Sequence, residues 1–493
     1  MRTLFLSVFG AVVITAGFPQ TQAATLTISA TQLQEIDGFG FFGPMLTWWS
    51  SSSASAFYTP GWLSLAVDSL GLTIWRNEYY SEEANQDANW AKQKPFVQAL
   101  KAKADASGVA IKFIYTVWTP PSKWKSNGSL KNGGNLLPQY YPDYANWLVA
   151  GVRNYESAGV PLYGLSPQNE PLFPETYNSC VYTNVTYTDM LKAVGPIIHD
   201  SCPDVKIFGP EHMLFGVGKD WDFANLDPSG KILADSAAKK QLDIWACHGY
   251  GADGATPTAG SLEAQYWTKA WQNVGAATGK HLWMTETSGY NDDWASAMDY
   301  VESIHAALSN GHASAWVHWY GAGDIVTNTA LTTKGALLKH YARFVRPGAK
   351  AFLTTVDDAA LFCTAFRNSA DSSYAIVIIN SAASAKTVAI SAAGLPAQFR
   401  QYQSTTSERC ADKGILPGDA VSVPANSVVT LYGASGASTG NRPAKRFFTN
   451  SKSPVGYYTL NGRALRPSRE RSSRHFLILQ SFDGSVRPVV LQR

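Results

Sequence analysis

The chain has 493 residues, of which 45% are hydrophobic and 16% charged, so it is long enough to bury the cores of two domains. Its net charge of +3 is uneven, because residues 442–493 hold 11 lysines and arginines against Glu470 and Asp483 and leave about −6 for the rest. This mildly acidic body offers no continuous positive surface, which argues against a nucleic-acid-binding protein.

An export signal is predicted at the start of the chain. Residues 1–23 place Arg2 before a long apolar run and end on small residues, which is the order of a secretory signal peptide. No other stretch approaches the roughly 18 uninterrupted apolar residues of a membrane span. We therefore expect a secreted extracellular or cell-surface protein, and we exclude residues 1–23 from the fold.

Strand-like and helix-like segments alternate along most of the chain. Short β-rich runs are separated by segments of helical period, of which residues 143–159 and 297–310 are the clearest. This alternation is typical of βα units around a parallel sheet, and eight such units close into a (β/α)8 barrel. The predicted fold class is therefore α/β. The eight predicted strands are residues 38–43, 72–77, 111–118, 162–169, 205–211, 242–250, 281–286 and 313–320.

The pattern changes after residue 348. Four β-rich runs without helical period predict a small antiparallel β-sandwich attached to the barrel, and the Gly/Ala/Ser-rich residues after it have the composition of a linker. The four runs are residues 361–366, 374–379, 387–390 and 428–432. We place the barrel at residues 37–342, the sandwich at 343–433, the linker at 434–445 and a basic tail at 446–493.

The basic tail contains two short β-like pieces, residues 456–460 and 476–480. It weakly resembles the C-terminal sorting modules of bacterial secreted proteins. Two simpler alternatives are a flexible basic extension and a segment that adheres to acidic polysaccharide or to the cell envelope.

The five cysteines allow two disulfides and one free thiol. Export permits disulfides, and order along the chain suggests Cys180 with Cys202 and Cys363 with Cys410, although the sequence does not fix these pairings. Cys247 lies in an apolar strand-like run, which predicts a buried thiol rather than a nucleophile.

Two glutamates follow predicted strands in contexts that point to glycoside hydrolysis. Glu170 lies in the run Gln-Asn-Glu-Pro at residues 168–171, and Glu286 closes the apolar run Trp-Met-Thr-Glu at residues 283–286. Hydrolysis with retention needs one carboxylic acid and one nucleophilic carboxylate about 5 Å apart. A solvated loop carboxylate is the alternative for each glutamate alone. The pair predicts Glu170 as the acid/base, kept protonated by burial and by the charge on Glu286, and Glu286 as the nucleophile.

These two motifs resemble those of the glycosidase clan whose catalytic glutamates lie on barrel strands 4 and 7, and within it family 30 is most similar. Three further segments share the resemblance, which spans about residues 25–433: Ile-Asp-Gly-Phe-Gly at 36–40, Thr-Pro-Pro-Ser-Lys-Trp-Lys at 119–125 and Phe-Val-Arg-Pro-Gly at 344–348. The resemblance implies a retaining β-glycosidase. It also implies that the strand before the barrel, residues 24–36, joins the sandwich.

Seven other residues are candidates for substrate binding. Asn169 can hydrogen-bond a sugar 2-hydroxyl. The resemblance implies that Arg76 steadies the charge on Glu286, with a plain structural salt bridge as the alternative. The remaining five fall at or just after strand ends, where they form sugar platforms, orient the carboxylates or simply pack in the core: Trp118, Tyr177, His248, Tyr250 and Trp319. Trp319 matches the family's strand-eight tryptophan. Glu211 is a third strand-end carboxylate, without an assigned role.

No metal or organic cofactor is required by this chemistry. The nine histidines form no His-x-x-x-His pair, which argues against a zinc hydrolase, and residues 164–168 lack the final glycine of a serine-esterase elbow. The predicted partner is a polysaccharide or oligosaccharide, bound by a monomer.

The substrate is left open by the sequence. Bacterial family members that cleave glucuronoxylan hold the uronic acid with an arginine shortly after the strand-eight aromatic, and residues 319–324 here are Trp-Tyr-Gly-Ala-Gly-Asp. Without that arginine, the expected substrate is an undecorated xylan or a neutral β-linked glucan or galactan. The resemblance favours an endo-β-xylanase-like enzyme, with β-1,6-glucanase and β-1,6-galactanase as alternatives, and the sequence leaves endo or exo action open. A non-catalytic carbohydrate-binding protein on a glycosidase scaffold is the alternative from another functional class.

Overall fold

The computed structural model describes two units, residues 1–436 and residues 437–493. The residues described are 23–45, 47, 57, 59–81, 86–213, 227–250, 262–416, 420–434, 477–480 and 486–489. The predicted signal peptide up to residue 22, the linker from residue 435 and most of the basic tail lie outside these ranges. In the second unit, β18 (Leu477–Gln480) pairs antiparallel with β19 (Val486–Val489). Strand β18 matches the predicted β-like piece at residues 476–480.

Eight parallel strands close into a barrel in chain order, as the sequence predicts. Each strand lies within three residues of its predicted start, and most are shorter than predicted at the carboxyl end. The barrel strands are β2 (Gly38–Phe42), β3 (Ile74–Glu78), β4 (Lys112–Thr116), β5 (Leu162–Ser166), β6 (Lys206–Met213), β7 (Ile244–His248), β8 (Leu282–Glu286) and β9 (Ala315–His318).

Helices connect the strands on the outside of the barrel. The predicted helix at residues 143–159 forms as Tyr141–Ser157 and buries Tyr144, Leu148 and Val152 on one face, and the one at residues 297–310 forms as Trp294–Ser309. The α-helices are Pro60–Ser64, Gln86–Ala106, Tyr141–Ser157, Asn184–Ser201, Pro228–Ala234, Ser236–Gln241, Leu262–Ala270, Ala276–Thr278, Trp294–Ser309 and Thr333–Ala342. Short π and 3-10 segments are Leu65–Leu70, Ser122–Trp124, Pro138–Tyr140 and Trp271–Gly275. Within the described residues, no helix combines the length and apolarity that crossing a membrane requires.

Asp37 is a buried carboxylate at the amino-terminal end of the barrel strands, the end opposite Glu286. The Asp37 carboxylate accepts hydrogen bonds from His281 Nδ1 at 2.5 Å and from Trp283 Nε1 at 2.8 Å, and Lys112 Nζ lies 3.5 Å from it. Burial would raise the pKa of Asp37, but His281 and Lys112 outweigh burial and lower it. Asp37 therefore stays ionised and ties β2 to β4 and β8.

Replacing Asp37 with asparagine should destabilise the fold by about 2–3 kcal/mol, because Lys112, His281 and an indole donor lose a buried anion. The lowered pKa means that Asp37 stabilises the wild type above its unfolded pKa of about 4, and that this stabilisation disappears as the pH falls through the folded value. Urea unfolding at pH 7 and pH 3 measures both effects. Glu35→Gln is the control, since its pair with Lys350 is exposed and should contribute less than about 1 kcal/mol. Equal losses in the two variants would contradict this account.

A nine-stranded sheet packs against the barrel and supplies the predicted sandwich. Its order is β15-β14-β17-β12-β11-β10-β1-β13-β16, and its pairs are antiparallel except β1 with β13. The pre-barrel strand β1 joins it, as the family resemblance implies, by pairing with both β10 and β13. The strands are β1 (Ala24–Glu35), β10 (Lys350–Val356), β11 (Leu361–Arg367), β12 (Ser373–Asn380), β13 (Lys386–Ser391), β14 (Arg400–Ser404), β15 (Ala411–Ile415), β16 (Ala420–Val423) and β17 (Ser427–Ala434).

The two predicted disulfides are wrong, because all five cysteines are unbonded and buried. Cys180 precedes and Cys202 follows the 18-residue helix Asn184–Ser201, whose length of roughly 27 Å separates them far beyond disulfide reach. Cys363 and Cys410 pack into different hydrophobic clusters, one within the sheet and one facing the barrel. The free, buried thiol predicted for Cys247 is confirmed.

Candidate active site

The carboxyl ends of the barrel strands meet in a cleft of about 910 Å³. Seven of the nine residues predicted for the site line this cleft: Trp118, Asn169, Glu170, Tyr177, Tyr250, Glu286 and Trp319. The other two, Arg76 and His248, are fully buried beneath it and contact the lining carboxylates. The structure therefore brings all nine residues to one site.

Glu286 ends strand β8 and is held through both carboxylate oxygens. Arg76 Nη1 donates to Oε2 at 2.6 Å, and the Tyr250 hydroxyl donates to Oε1 at 3.0 Å. Burial raises the pKa of Glu286, and the positive charges of His248 and Arg76 oppose that rise. The carboxylate is thus fixed in one orientation at the floor of the cleft, with its charge matched by neighbouring cations.

The sequence predicts Glu170 directly at the end of a strand. In the structure, Glu170 lies instead in the loop that follows β5. The strand stops at Ser166, and the chain then turns so that Glu170 takes a left-handed backbone conformation with φ of 43°. His248 Nδ1 lies 2.8 Å from Glu170 Oε1, which leaves Oε2 to reach a ligand. A carboxylate oxygen of Glu170 and one of Glu286 are within 4.8 Å of each other.

Arg76 connects the two halves of the site. Besides Glu286, its guanidinium donates to Asn169 Oδ1 at 2.9 Å and lies 3.2 Å from Glu211 Oε1. Because Asn169 uses Oδ1 to accept from Arg76, its amide nitrogen is the donor that it can offer to a sugar hydroxyl. The guanidinium also lies over the Trp118 ring, 5.0 Å from the centroid.

His248 is a buried cation among carboxylates. Burial disfavours the charged ring, but Glu286, Glu170 and Glu211 outweigh burial and raise the pKa of His248 to about 9. One atom each from Glu170, His248 and Glu286 lie close enough together for a metal ion to bridge them. However, a doubly protonated imidazole offers donors and no lone pair, so at neutral pH this group favours hydrogen bonding over metal binding.

Aromatic rings form one wall of the cleft. Trp319 stacks on Phe42 with centroids 4.5 Å apart and planes 11° from parallel, and Trp118 lies 5.9 Å from Trp319. Sugar C–H faces pack against such flat rings. Tyr177 lies at the rim of the cleft with 49% of its surface exposed.

Phe42 and Glu211 are two of the site residues that the sequence leaves without a role. Phe42, beneath Trp319, ends strand β2, so its position as a strand-end aromatic was a signal that could have found it. Glu211 was noted as a carboxylate without a role, and the structure places it against Arg76 and His248. That contact depends on a bulge in β6, for which Pro210 inside the predicted strand was a signal.

The loop after β9 directs its acidic residue away from the cleft. Asp324 accepts from His318 Nε2 at 2.6 Å and from Lys334 Nζ at 2.6 Å, and Lys334 also donates to the Tyr290 carbonyl. These contacts secure the loop that follows Trp319, and Asp324 is not among the residues that line the cleft.

Comparison with known proteins identifies relatives for the barrel. A model of the glycosyl hydrolase family 30 TIM-barrel domain matches residues 78–329, which is just over half of the chain. A glucuronoxylanase of Bacillus subtilis is 28% identical over 325 residues, which cover 63% of this chain and 68% of the relative. An endo-1,6-β-D-glucanase of Neurospora crassa is 22% identical, over 53% of this chain and 57% of that protein.

Solved structures with this fold extend the similarity to the sheet. A family 30 subfamily 8 xylanase from Clostridium acetobutylicum superposes with a TM-score of 0.67 at 23% identity, covering 83% of this chain and 100% of that one. An endo-β1,6-glucanase superposes with a TM-score of 0.66 at 22% identity, covering 84% of this chain and 94% of that one. The barrel and its attached sheet are therefore one shared architecture.

Proposed function

Because the chain belongs to glycoside hydrolase family 30, we propose that it cleaves β-glycosidic bonds with retention, using Glu286 as the nucleophile and Glu170 as the acid/base. The observation behind this proposal is the short distance between the two carboxyl groups. One oxygen of Glu170 and one oxygen of Glu286 lie within 4.8 Å of each other. Retaining enzymes hold these groups about 5 Å apart, whereas inverting enzymes leave roughly 6.5–9.5 Å for a water molecule. The bound of 4.8 Å agrees with the retaining separation and is shorter than the inverting one.

In the first step, a Glu286 oxygen attacks the anomeric carbon while Glu170 gives its proton to the departing glycosidic oxygen. The bond to the leaving sugar breaks as the glycosyl-enzyme ester forms. Arg76 and Tyr250 support this step because they fix the carboxylate that attacks. In the second step, Glu170 takes a proton from water, the hydroxyl adds to the anomeric carbon, and Glu286 is released as a carboxylate.

Substrate binding is assigned to the aromatic wall and to Asn169. Trp319 and Trp118 provide faces for the sugar, and the Asn169 amide provides a donor for a hydroxyl next to the reacting carbon. Tyr177 at the rim extends the contact surface, and His248 acts through Glu170. The cleft volume of about 910 Å³ suits several sugar units, which supports cleavage within a chain.

We propose undecorated xylan as the preferred polymer. Two of the similar proteins are named as a glucuronoxylanase and a xylanase. The loop after Trp319 contains no arginine to hold a uronic acid, and its one carboxylate, Asp324, is tied to His318 and Lys334. Two endo-β-1,6-glucanases among the similar proteins support β-1,6-glucan as the second candidate.

Export and a monomeric state are also part of this proposal. Export rests on the signal-like residues 1–23 of the sequence. A monomer is sufficient because all nine residues assigned to the site come from one chain.

Reducing-sugar release from xylan, glucuronoxylan, β-1,6-glucan and β-1,6-galactan tests the substrate. We expect release from undecorated xylan at least about tenfold faster than from the others, because losing matched contacts to a sugar costs 1–3 kcal/mol. NMR of the first product should show the β-anomer before mutarotation. An initial α-anomer would contradict retention. Binding of polymer without any release would instead support the carbohydrate-binding alternative.

A further inference from the structure

Glu211 is a fully buried carboxylate that the proposed chemistry leaves without a task. It lies in strand β6, where the pairing with β7 skips a residue between Pro210 and His212. Glu211 occupies that bulge with φ of 54°, a left-handed conformation that non-glycine residues rarely adopt. Bulges beside active sites redirect side chains, and this one turns Glu211 towards Arg76. The side chain has no exposed surface, so it does not touch a substrate.

Glu211 contacts both buried cations and the backbone of the acid/base. Its Oε1 lies 3.2 Å from Arg76 Nη2 and 3.9 Å from His248 Nε2. Its main-chain carbonyl accepts a hydrogen bond of 3.1 Å from the amide of Glu170, which is also left-handed. Glu211 therefore contacts the guanidinium beside Glu286 and the imidazole beside Glu170. Through its carbonyl, it also contacts the left-handed backbone of Glu170.

We propose that Glu211 is a positioning residue that supplies the counter-charge for Arg76 and His248, so that Glu170 can hold the proton it gives to the leaving sugar. This inference rests on the proposed function of Glu170 and Glu286. Arg76 and His248 carry two positive charges, and Glu286 alone offsets only one. With Glu211 ionised, the charges of these four buried side chains sum to zero. Without it, one of the two positive charges would lack a counter-charge, and an uncompensated positive charge favours the ionised form of nearby carboxyl groups.

Among the described residues, four other titratable groups near this network stay neutral. Burial raises the pKa of Tyr187, on the helix Asn184–Ser201, and of Cys247, on β7, so both stay neutral. Burial lowers the pKa of His212 to about 3, so it is neutral as well. Tyr250, beside Glu286, also stays neutral, because burial and the charge of Glu286 raise its pKa.

Glu211 itself is ionised over the working range. Burial opposes its charge, but Arg76 and His248 outweigh burial and lower the pKa of Glu211 to about 2. The four charged side chains therefore form one buried network that reaches Glu170 through His248, and Glu211 is the carboxylate of this network without exposed surface.

The pH profile of Glu211→Gln tests this inference. Removing a negative charge makes each neighbouring acid give up its proton more readily, so both limbs of kcat/KM should move to lower pH by about one unit. Near pH 7, cleavage of the polymer should fall by up to about tenfold, as a one-unit shift of the alkaline limb allows, whereas an aryl glycoside with an activated leaving group, which needs little protonation, should lose less than about threefold. Glu211→Asp keeps the charge and should keep the wild-type limbs.

Glu302→Gln is the matched control, because Glu302 is a buried glutamate on the outer helix Trp294–Ser309 and should leave both limbs in place. A Glu211→Gln enzyme with the wild-type profile, or with equal losses on both substrates, would overturn the inference. These outcomes are distinct from failure of the proposed function, in which the wild type itself hydrolyses nothing.

A second measurement covers the case in which Glu211→Gln does not fold. The imidazole nitrogens of His248, labelled with ¹⁵N in the wild type, should both be protonated at pH 7.5, as the counter-charge requires. A neutral imidazole at that pH would show that the carboxylates do not hold His248 as a cation and would overturn the proposal without any activity assay.

Discussion

Replacing Glu286 with glutamine is expected to reduce hydrolysis of the polymer and of aryl glycosides alike by on the order of 10⁴-fold or more. The amide cannot attack the anomeric carbon, and Arg76 loses the carboxylate that it meets at 2.6 Å. Such a loss corresponds to about 5.5 kcal/mol of transition-state stabilisation. Initial rates on xylan and on an activated aryl xyloside, with thermal unfolding to confirm the fold, measure the effect.

The control for this variant is Glu302→Gln, which removes a buried glutamate from the outer helix and should retain wild-type rates. Glu286→Gly gives a further distinction, because azide can enter the space left by the side chain. On an activated β-aryl glycoside, azide should then attack directly and give the α-glycosyl azide. A Glu286→Gln enzyme within about tenfold of the wild type would show that another residue is the nucleophile.

The barrel was predictable from the sequence because its signals are local. Strands β2 to β9 are short apolar runs, and the helices between them carry apolar residues at helical spacing. Strand ends gather at one edge of a barrel, so Glu286, His248 and Trp319 could be placed together before any coordinates. The predicted ends were less accurate, since polar residues such as Asn169 continue a strand-like run after pairing has stopped.

The contacts that were missed depend on geometry that residue order does not encode. The left-handed conformations of Glu170 and Glu211 are set by packing, and they decide where those two carboxylates point. The disulfide error has the same origin. Cys180 and Cys202 are near in sequence, but the 18-residue helix Asn184–Ser201 separates them, and spacing alone gives no sign of that distance.

Replacing Glu170 with glutamine should give a different defect, which separates its role from that of Glu286. The glutamine keeps an acceptor for His248 Nδ1, so the local geometry survives, but it has no proton to donate. Polymer hydrolysis should fall by roughly 10²–10⁴-fold, since a sugar leaving group needs the acid. An activated aryl glycoside should still form the glycosyl-enzyme, which then accumulates because no base activates water. Stopped-flow release of the aryl group should show a burst followed by a slow phase.

Azide makes this test decisive, because it attacks the accumulated glycosyl-enzyme without a base. Added azide should accelerate the slow phase of Glu170→Gln and yield the β-glycosyl azide, while leaving wild type and the control Glu156→Gln unaffected. Glu156 is a suitable control because it is a surface glutamate that pairs with Arg153 at the end of an outer helix. The α-azide from Glu170→Gln would mean that the roles of the two glutamates are exchanged. If Glu170→Gln shows neither a burst nor acceleration by azide, Glu170 is not the acid/base. Its short distance to Glu286 would then need another explanation.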